Sequence, residues 1–228
     1  MDFCGLVKTS TLDYPGKIAA VLFSPGCNYD CFYCHNRELL QNGNLLPASG
    51  VMDFLKKRRG LLDGVVLTGG EAALQKDIVQ FSESLKEMGY LVKLDTNGSR
   101  PDVVKILLEK KLLDYVAMDY KAPWDRYTEF CGSAVDPEEA KKTLALLLGY
   151  GVDFEVRTTV VPQLGEDDLM QMAREAPIVP RFLLQQYREP PLYKPEDRFR
   201  VKQKPHAPTF LAEIAEKMRV FQPETAVR

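Results

Sequence analysis

This 228-residue chain is poor in the features that would mark several common classes of protein. Its five cysteines are an odd number, so a disulfide framework is not expected of a chain that reads as intracellular. Apolar runs stop well short of the ~18–20 residues a membrane span requires. The first ten residues, MDFCGLVKTS, lack a basic stretch followed by an apolar one, and no export signal is expected. Lys plus Arg (30) and Asp plus Glu (32) nearly balance at a net charge of −2, which argues against nucleic acid, whose binders usually carry a basic excess. Internal repeats and low-complexity tracts are also missing. What remains, 45% hydrophobic and 27% charged, is the profile of a globular domain. A cytoplasmic location is expected, with no membrane or nucleic-acid partner.

Along the chain, short β-rich runs are followed by longer segments with helical spacing. Strands are expected at 17–24 (KIAAVLFS), 64–68 (GVVLT), 90–96 (YLVKLDT), 113–120, 153–161 and 181–187 (RFLLQQY). Helices are expected at 51–59, 76–88, 103–111, from Pro137 with Asp136 as N-cap, and at 166–175. This alternation implies a parallel sheet with right-handed crossovers. Six units imply an incomplete barrel, since a closed one has eight and about 250 residues. A flat doubly wound sheet is the competing architecture, and the strand faces favour the barrel. Lys93, Asp95 and Asn97 share one face of the third strand, Asp119 and Lys121 one of the fourth, and Glu155, Arg157 and Thr159 one of the fifth. Val92, Leu94, Val116, Met118, Phe154 and Val156 take the opposite faces. A barrel turns apolar faces outward under its helices and keeps a polar lumen, whereas a sheet covered on both sides is more often apolar on both. The expected fold is α/β, a partial (β/α)6 barrel over 1–188. Residues 189–208 (EPPLYKPEDRFRVKQKPHAP) read as a proline- and charge-rich surface linker, and 209–219 as a closing helix of the same domain.

The first expected strand leads into Pro25-Gly26-Cys27-Asn28-Tyr29-Asp30-Cys31-Phe32-Tyr33-Cys34-His35-Asn36. Cys27, Cys31 and Cys34 are spaced C-x3-C-x2-C. Thiolates are the standard ligands of iron–sulfur clusters, and a four-iron cluster normally takes four. Cys4 and Cys131 have no companion spacing and read as buried fillers, which leaves one iron open. Structural zinc is the main competitor and needs four tetrahedral ligands. His35 adjoins Cys34, which makes joint chelation awkward, and His206 sits in the distant linker. A simple electron carrier would close its cluster with a fourth cysteine. An open iron suits binding and activating a substrate.

With an aromatic residue before its last cysteine, this loop resembles the signature of the radical S-adenosylmethionine enzymes. The resemblance implies a [4Fe–4S] cluster on Cys27, Cys31 and Cys34. Its open iron would be chelated by the methionine moiety of S-adenosylmethionine, whose reductive cleavage releases a 5′-deoxyadenosyl radical. Tyr33 would lie against the adenine, and His35 is counted with it among the cofactor-facing candidates. Gly69-Gly70-Glu71 follows the second strand; alone it is an ordinary turn, but one unit after the cysteines it resembles the family's methionine-binding motif, with Glu71 accepting from an ammonium group. Asp95-Thr96-Asn97-Gly98, Asp119, Lys121 and Arg157 mark later strands. Each alone is more commonly a solvated charge, but acids and bases sharing one lumen call for a zwitterionic ligand, since unpaired buried charge is costly. Resemblance to the activating enzymes assigns Asp119 to the ribose or a nearby monovalent cation, Lys121 and Arg157 to the carboxylate, and Asp95 to the same region; Asn97 is a further cofactor candidate.

GLVKTSTLDYPGKIAAVLFSPGCNYDCFYCHN looks like the activating proteins of anaerobic ribonucleoside-triphosphate reductases, and the likeness continues through MDYKAP and RTTVVP to about Arg188. It implies a glycyl-radical enzyme as partner, most closely that reductase, and a one-electron donor such as flavodoxin or ferredoxin. Activating enzymes of the pyruvate formate-lyase type, and radical enzymes like 7-carboxy-7-deazaguanine synthase acting on small molecules, are the alternatives.

Overall fold

Each of the six expected β runs forms a strand, and two further strands flank them. The structure, a computed structural model, describes residues 1–40 and 44–228. Within these lie β1 (Gly5–Ser10), β2 (Ala19–Ser24), β3 (Gly64–Gly69), β4 (Leu91–Thr96), β5 (Tyr115–Asp119), β6 (Asp153–Val160), β7 (Phe182–Gln186) and β8 (Thr225–Val227). They form one sheet in sequence order. β1 is antiparallel to β2, and the remaining neighbours are parallel. The helices are α1 (Ala48–Lys57), α2 (Ile78–Glu87), α3 (Pro101–Glu109), α4 (Tyr127–Cys131), α5 (Pro137–Tyr150), α6 (Glu166–Glu175), α7 (Arg198–Val201) and α8 (Pro208–Met218). Among the described residues no helix is long and apolar enough to cross a membrane.

Local chemistry sets the helix ends. Asp136 accepts from Glu138 N at 2.9 Å ahead of α5, with Pro137 in the first turn, where its missing N–H is no loss. Asp168 reaches back to Gly165 N at 2.9 Å and satisfies an orphan donor at the start of α6.

The strands divide their faces as their alternation implies. Leu22, Leu67, Leu94, Val116 and Val156 are buried in the main core with helix residues such as Leu55, Phe81, Leu107 and Leu144. Each such side chain contributes about 1.5–3 kcal/mol by leaving water. A second apolar cluster, Tyr14, Ala19, Val21, Val66 and Tyr115, fills the inner side. The lumen is therefore polar towards the strand C-termini, and beneath it this apolar cluster lies with the buried Lys93 and Glu155. Arg157 of β6 reaches past β5 to Asp95 of β4 at 3.3 Å, so side chains of three successive strands meet on one face. β1 and β8 stand at opposite ends of the strand order, so the barrel is partial.

Candidate active site

Two neighbouring turns build one wall of the site and are locked backbone to backbone. After β2, Gly26 N donates to Leu39 O at 2.8 Å; after β3, Gly70 N donates to Ser24 O at 2.9 Å and Glu71 N to Gly26 O at 2.8 Å. The approach is too close for side chains. A Cβ on Gly69, whose φ is +120°, would lie 2.4 Å from Ser24 O, and one on Gly70 would lie 1.9 Å from Gly26 O. Asn36 Nδ2 donates to Gly69 O at 2.8 Å and ties the far end of the cysteine loop to the same turn.

The cavity beside this wall has a volume of about 490 Å³. Cys27, Cys31, Tyr33, Cys34, His35, Gly69, Gly70, Asp95, Asn97, Asp119, Lys121 and Arg157 all line it. Five segments thus bring twelve of the thirteen candidates together. Glu71 stands apart: its carboxylate is buried behind the wall, where Oε1 accepts from Ala73 N at 3.0 Å and Thr96 Oγ1 at 2.8 Å, and Oε2 from Asn97 N at 2.6 Å. Rather than facing an ammonium group, it braces the turn that presents Asn97. Burial pushes its pKa up to about 7 against these three donors.

Asn97 carries the bracing to the cysteines. Its Nδ2 donates to Asn28 Oδ1 at 3.1 Å, and Ser99 Oγ donates to the same oxygen at 3.1 Å. Arg37 ties the loop from the other side, donating to Asp30 Oδ1 at 2.9 Å and Cys31 O at 2.7 Å. Residues 189–208 lie over the loop: Lys194 pairs with Asp30, and the Arg200 guanidinium sits 3.7 Å from the Phe32 ring centre. His35 Nε2 is 2.8 Å from Arg188 O, so the ring is anchored as well as facing the cavity.

The charges in the cavity pair with one another. Arg157 donates to Asp119 Oδ1 from Nε at 3.0 Å and Nη2 at 2.9 Å, while Lys121 Nζ donates to Asp119 Oδ2 at 3.1 Å. Burial pushes the Asp119 pKa up, but Lys121 and Arg157 outweigh it and hold the group at about 2. Lys121 is pulled down by burial and raised further by Asp119, ending well above its ordinary range. Asp95, expected to help hold a monovalent cation, is paired with Lys93 and Arg157.

The three thiols of the cysteine loop line one cavity. Burial pushes the Cys27 thiol up to about 12 and raises Cys34. A hydrogen bond from Cys131 lowers Cys31, so Cys131 is a neighbour of that sulfur as well as a buried filler. Metal ligation replaces the protons that burial retains. Tyr29 lines the same cavity, and its buried hydroxyl has no hydrogen-bond partner among the described residues. An iron–sulfur cluster on the three thiols, with a zwitterion beside Lys121 and Arg157, fits this donor set. Tyr29, Thr68, Asp13 and Gln185 also line the cavity without having been singled out from sequence. Tyr29 lies inside the cysteine loop, Asp13 inside the TLDYPG segment and Thr68 directly before Gly69, while Gln185 sits in an otherwise unmarked strand.

Comparison with known proteins agrees with this chemistry. The model of the Radical SAM superfamily matches residues 21–176. A Methanocaldococcus jannaschii protein assigned as a glycyl-radical enzyme activating enzyme is 38% identical over 202 residues, covering 84% of this chain and 82% of its own. Pyruvate formate-lyase 1-activating enzyme of Escherichia coli K12 is 32% identical over 169 residues, covering 69% of this chain and 67% of its own. Among solved structures, Streptococcus suis SuiB bound to its precursor peptide SuiA superposes with a TM-score of 0.70 at 17% identity, covering 91% of this chain and 48% of SuiB, a likeness of fold. Membership of the superfamily implies a [4Fe–4S] cluster and S-adenosylmethionine. With the cysteine loop, the curved parallel sheet and relatives of this closeness, the chain belongs to the Radical SAM superfamily, and within it to the glycyl-radical enzyme activating enzymes.

Proposed function

We propose that this protein removes a hydrogen atom from a glycine Cα of a partner enzyme, and that the partner is an anaerobic ribonucleoside-triphosphate reductase. The observation that carries the activity is one cavity holding three thiols, a buried carboxylate–ammonium–guanidinium set and the Tyr33 ring. When bound, the cluster and S-adenosylmethionine supply one-electron cleavage of a sulfonium and a carbon radical able to abstract hydrogen. Cys27, Cys31 and Cys34 hold the iron. Lys121 and Arg157, held at Asp119, would offer their remaining N–H groups to the cofactor carboxylate, Tyr33 would face the adenine, and Asn97 keeps the cysteine loop in register. Gly69 and Gly70 allow close backbone approach. The cavity also reaches Asp13, ahead of β2, and Gln185 of β7, towards the two ends of the sheet. A loop entering from that side brings its glycine within the about 3–3.5 Å that hydrogen transfer requires.

The likeness of the TLDYPG segment and cysteine loop to reductase activators supports that partner. The similarity to the Escherichia coli enzyme favours formate lyase as a second reading. A one-electron carrier such as flavodoxin or ferredoxin supplies the electron, and free cysteines suit a reducing cytoplasm. The test mixes reduced, cluster-loaded protein, S-adenosylmethionine and reductase without oxygen and records an electron paramagnetic resonance spectrum. A glycyl doublet is expected, lost when the reductase's radical-site glycine is replaced by alanine. A doublet on formate lyase alone would transfer the assignment to that enzyme. Cofactor cleavage with no protein radical on either would indicate a small-molecule substrate.

A further inference from the structure

Asp95 and Asp119 are the carboxylates expected to share a monovalent metal ion, yet their oxygens are already taken. Asp95 Oδ1 accepts from Lys93 Nζ at 2.5 Å, and Oδ2 accepts from Arg157 Nη1 and Thr68 Oγ1, each at 3.3 Å. Asp119 Oδ1 faces Arg157 and Oδ2 faces Lys121. Three cations, Lys93, Lys121 and Arg157, stand against three carboxylates, Asp95, Asp119 and the buried Glu155 beside Arg157, so the set is balanced before a zwitterionic cofactor arrives. A metal ion beside Asp95 would add an unbalanced positive charge among closely packed cations, in a buried setting where repulsion is poorly screened. The acidic pair therefore does not fit a metal ion.

Lys93 differs from the other two cations. Lys121 and Arg157 line the cavity, whereas Lys93 does not and is 1% exposed. It precedes Asp95 by two residues on β4 and so lies one layer deeper on the same inner face. Its Nζ lies 5.9 Å from the Tyr115 ring centre, and Asp95 is its sole carboxylate partner among the described residues. A strand position fixes this ammonium before any ligand arrives.

The geometry points to Lys93 as a built-in substitute for the metal ion, supplying the positive charge at Asp95 so that cofactor binding requires no alkali cation. This rests on reading the cavity as the S-adenosylmethionine site. The test titrates S-adenosylmethionine into anaerobic, cluster-loaded protein by calorimetry in potassium, sodium or tetramethylammonium chloride at equal ionic strength. Wild type and Lys93→Arg are expected to agree within about twofold across all three salts. Lys93→Met is expected to bind at least about tenfold more weakly in tetramethylammonium, the loss of one charge-assisted contact, and to recover in potassium or sodium. Before cofactor is added, sodium-23 line widths should show protein-specific broadening with Lys93→Met and none with wild type. A tenfold loss by wild type without alkali ions, or sodium broadening by wild type that Asp95→Asn abolishes, would overturn the proposal. So would unchanged binding by Lys93→Met in every salt. Should Lys93→Met fail to fold, the wild-type and Lys93→Arg salt series decide. Absence of cofactor binding in every salt would instead remove the cavity assignment, and the sodium lines would still report whether Asp95 takes up metal.

Discussion

A carboxylate served by three donors and no cation behaves differently from one awaiting an ammonium group. Glu71 is such a carboxylate, raised by burial from an ordinary 4.5 to about 7. The folded chain holds this proton more tightly than the unfolded chain, so the stability linked to it is complete below about 4.5 and is lost as pH rises through about 7. Glu71→Gln cannot titrate and sets an amide NH2 group against one of the donors, at a cost of about 1–3 kcal/mol. In urea unfolding between pH 4 and 8, wild type should exceed the variant most at low pH, with the gap narrowing towards pH 8. A gap independent of pH would mean that folding does not raise the Glu71 pKa. The sequence marks this carboxylate plainly, because Gly-Gly-Glu directly follows a strand. It does not reveal which way the side chain turns, since one residue of rotation at a strand end exchanges cavity for wall. The cysteines carry a stronger signal, because three thiols within eight residues limit the geometry to one loop.

At the scale of elements, the six β/α units are legible because each joins a β-branched run to a longer amphipathic one. β1 is harder to read: GLVKTS is exposed from Val7 to Thr9 and pairs on one side only. β8 has three residues and is placed by docking beside β7 rather than by any pattern of its own. Segment 189–208 reads from composition as a surface linker. Its contacts with the cysteine loop run through Lys194 on Asp30 and Arg200 on Phe32, with Arg200 Nη2 also donating to Glu129 O at 3.0 Å. Such pairings between distant positions leave no periodic trace. Arg200→Ala should lose about 1–2 kcal/mol from the cation–π contact and hydrogen bond. It should also speed iron release to a chelator under anaerobic conditions, while Lys202→Ala, which removes a surface ion pair with Glu189, should release iron at the wild-type rate. Equal release rates for both variants would show that the segment does not support the loop.

For the whole molecule, ligand binding and folding are linked, because residues from Cys27 to Arg157 meet in one cavity only when the sheet is complete. S-adenosylmethionine at a hundred times its dissociation constant should stabilise the cluster-loaded protein by about 2.7 kcal/mol. For a chain of this size that is a rise in Tm of roughly 5–10 °C, readable by anaerobic calorimetric scanning. No rise at saturating cofactor would place its site elsewhere. The contact between Arg200 and Phe32 also has a consequence for how the protein is made. The cysteine loop leaves the ribosome well before residue 200, and at about 5–20 residues per second the intervening stretch takes roughly 10–30 s to synthesise. Through that interval the three thiols have neither the sheet's later strands around them nor Arg200 above them. In air they are open to oxidation in the nascent chain, so the yield of loadable protein should depend on oxygen during translation as well as during purification.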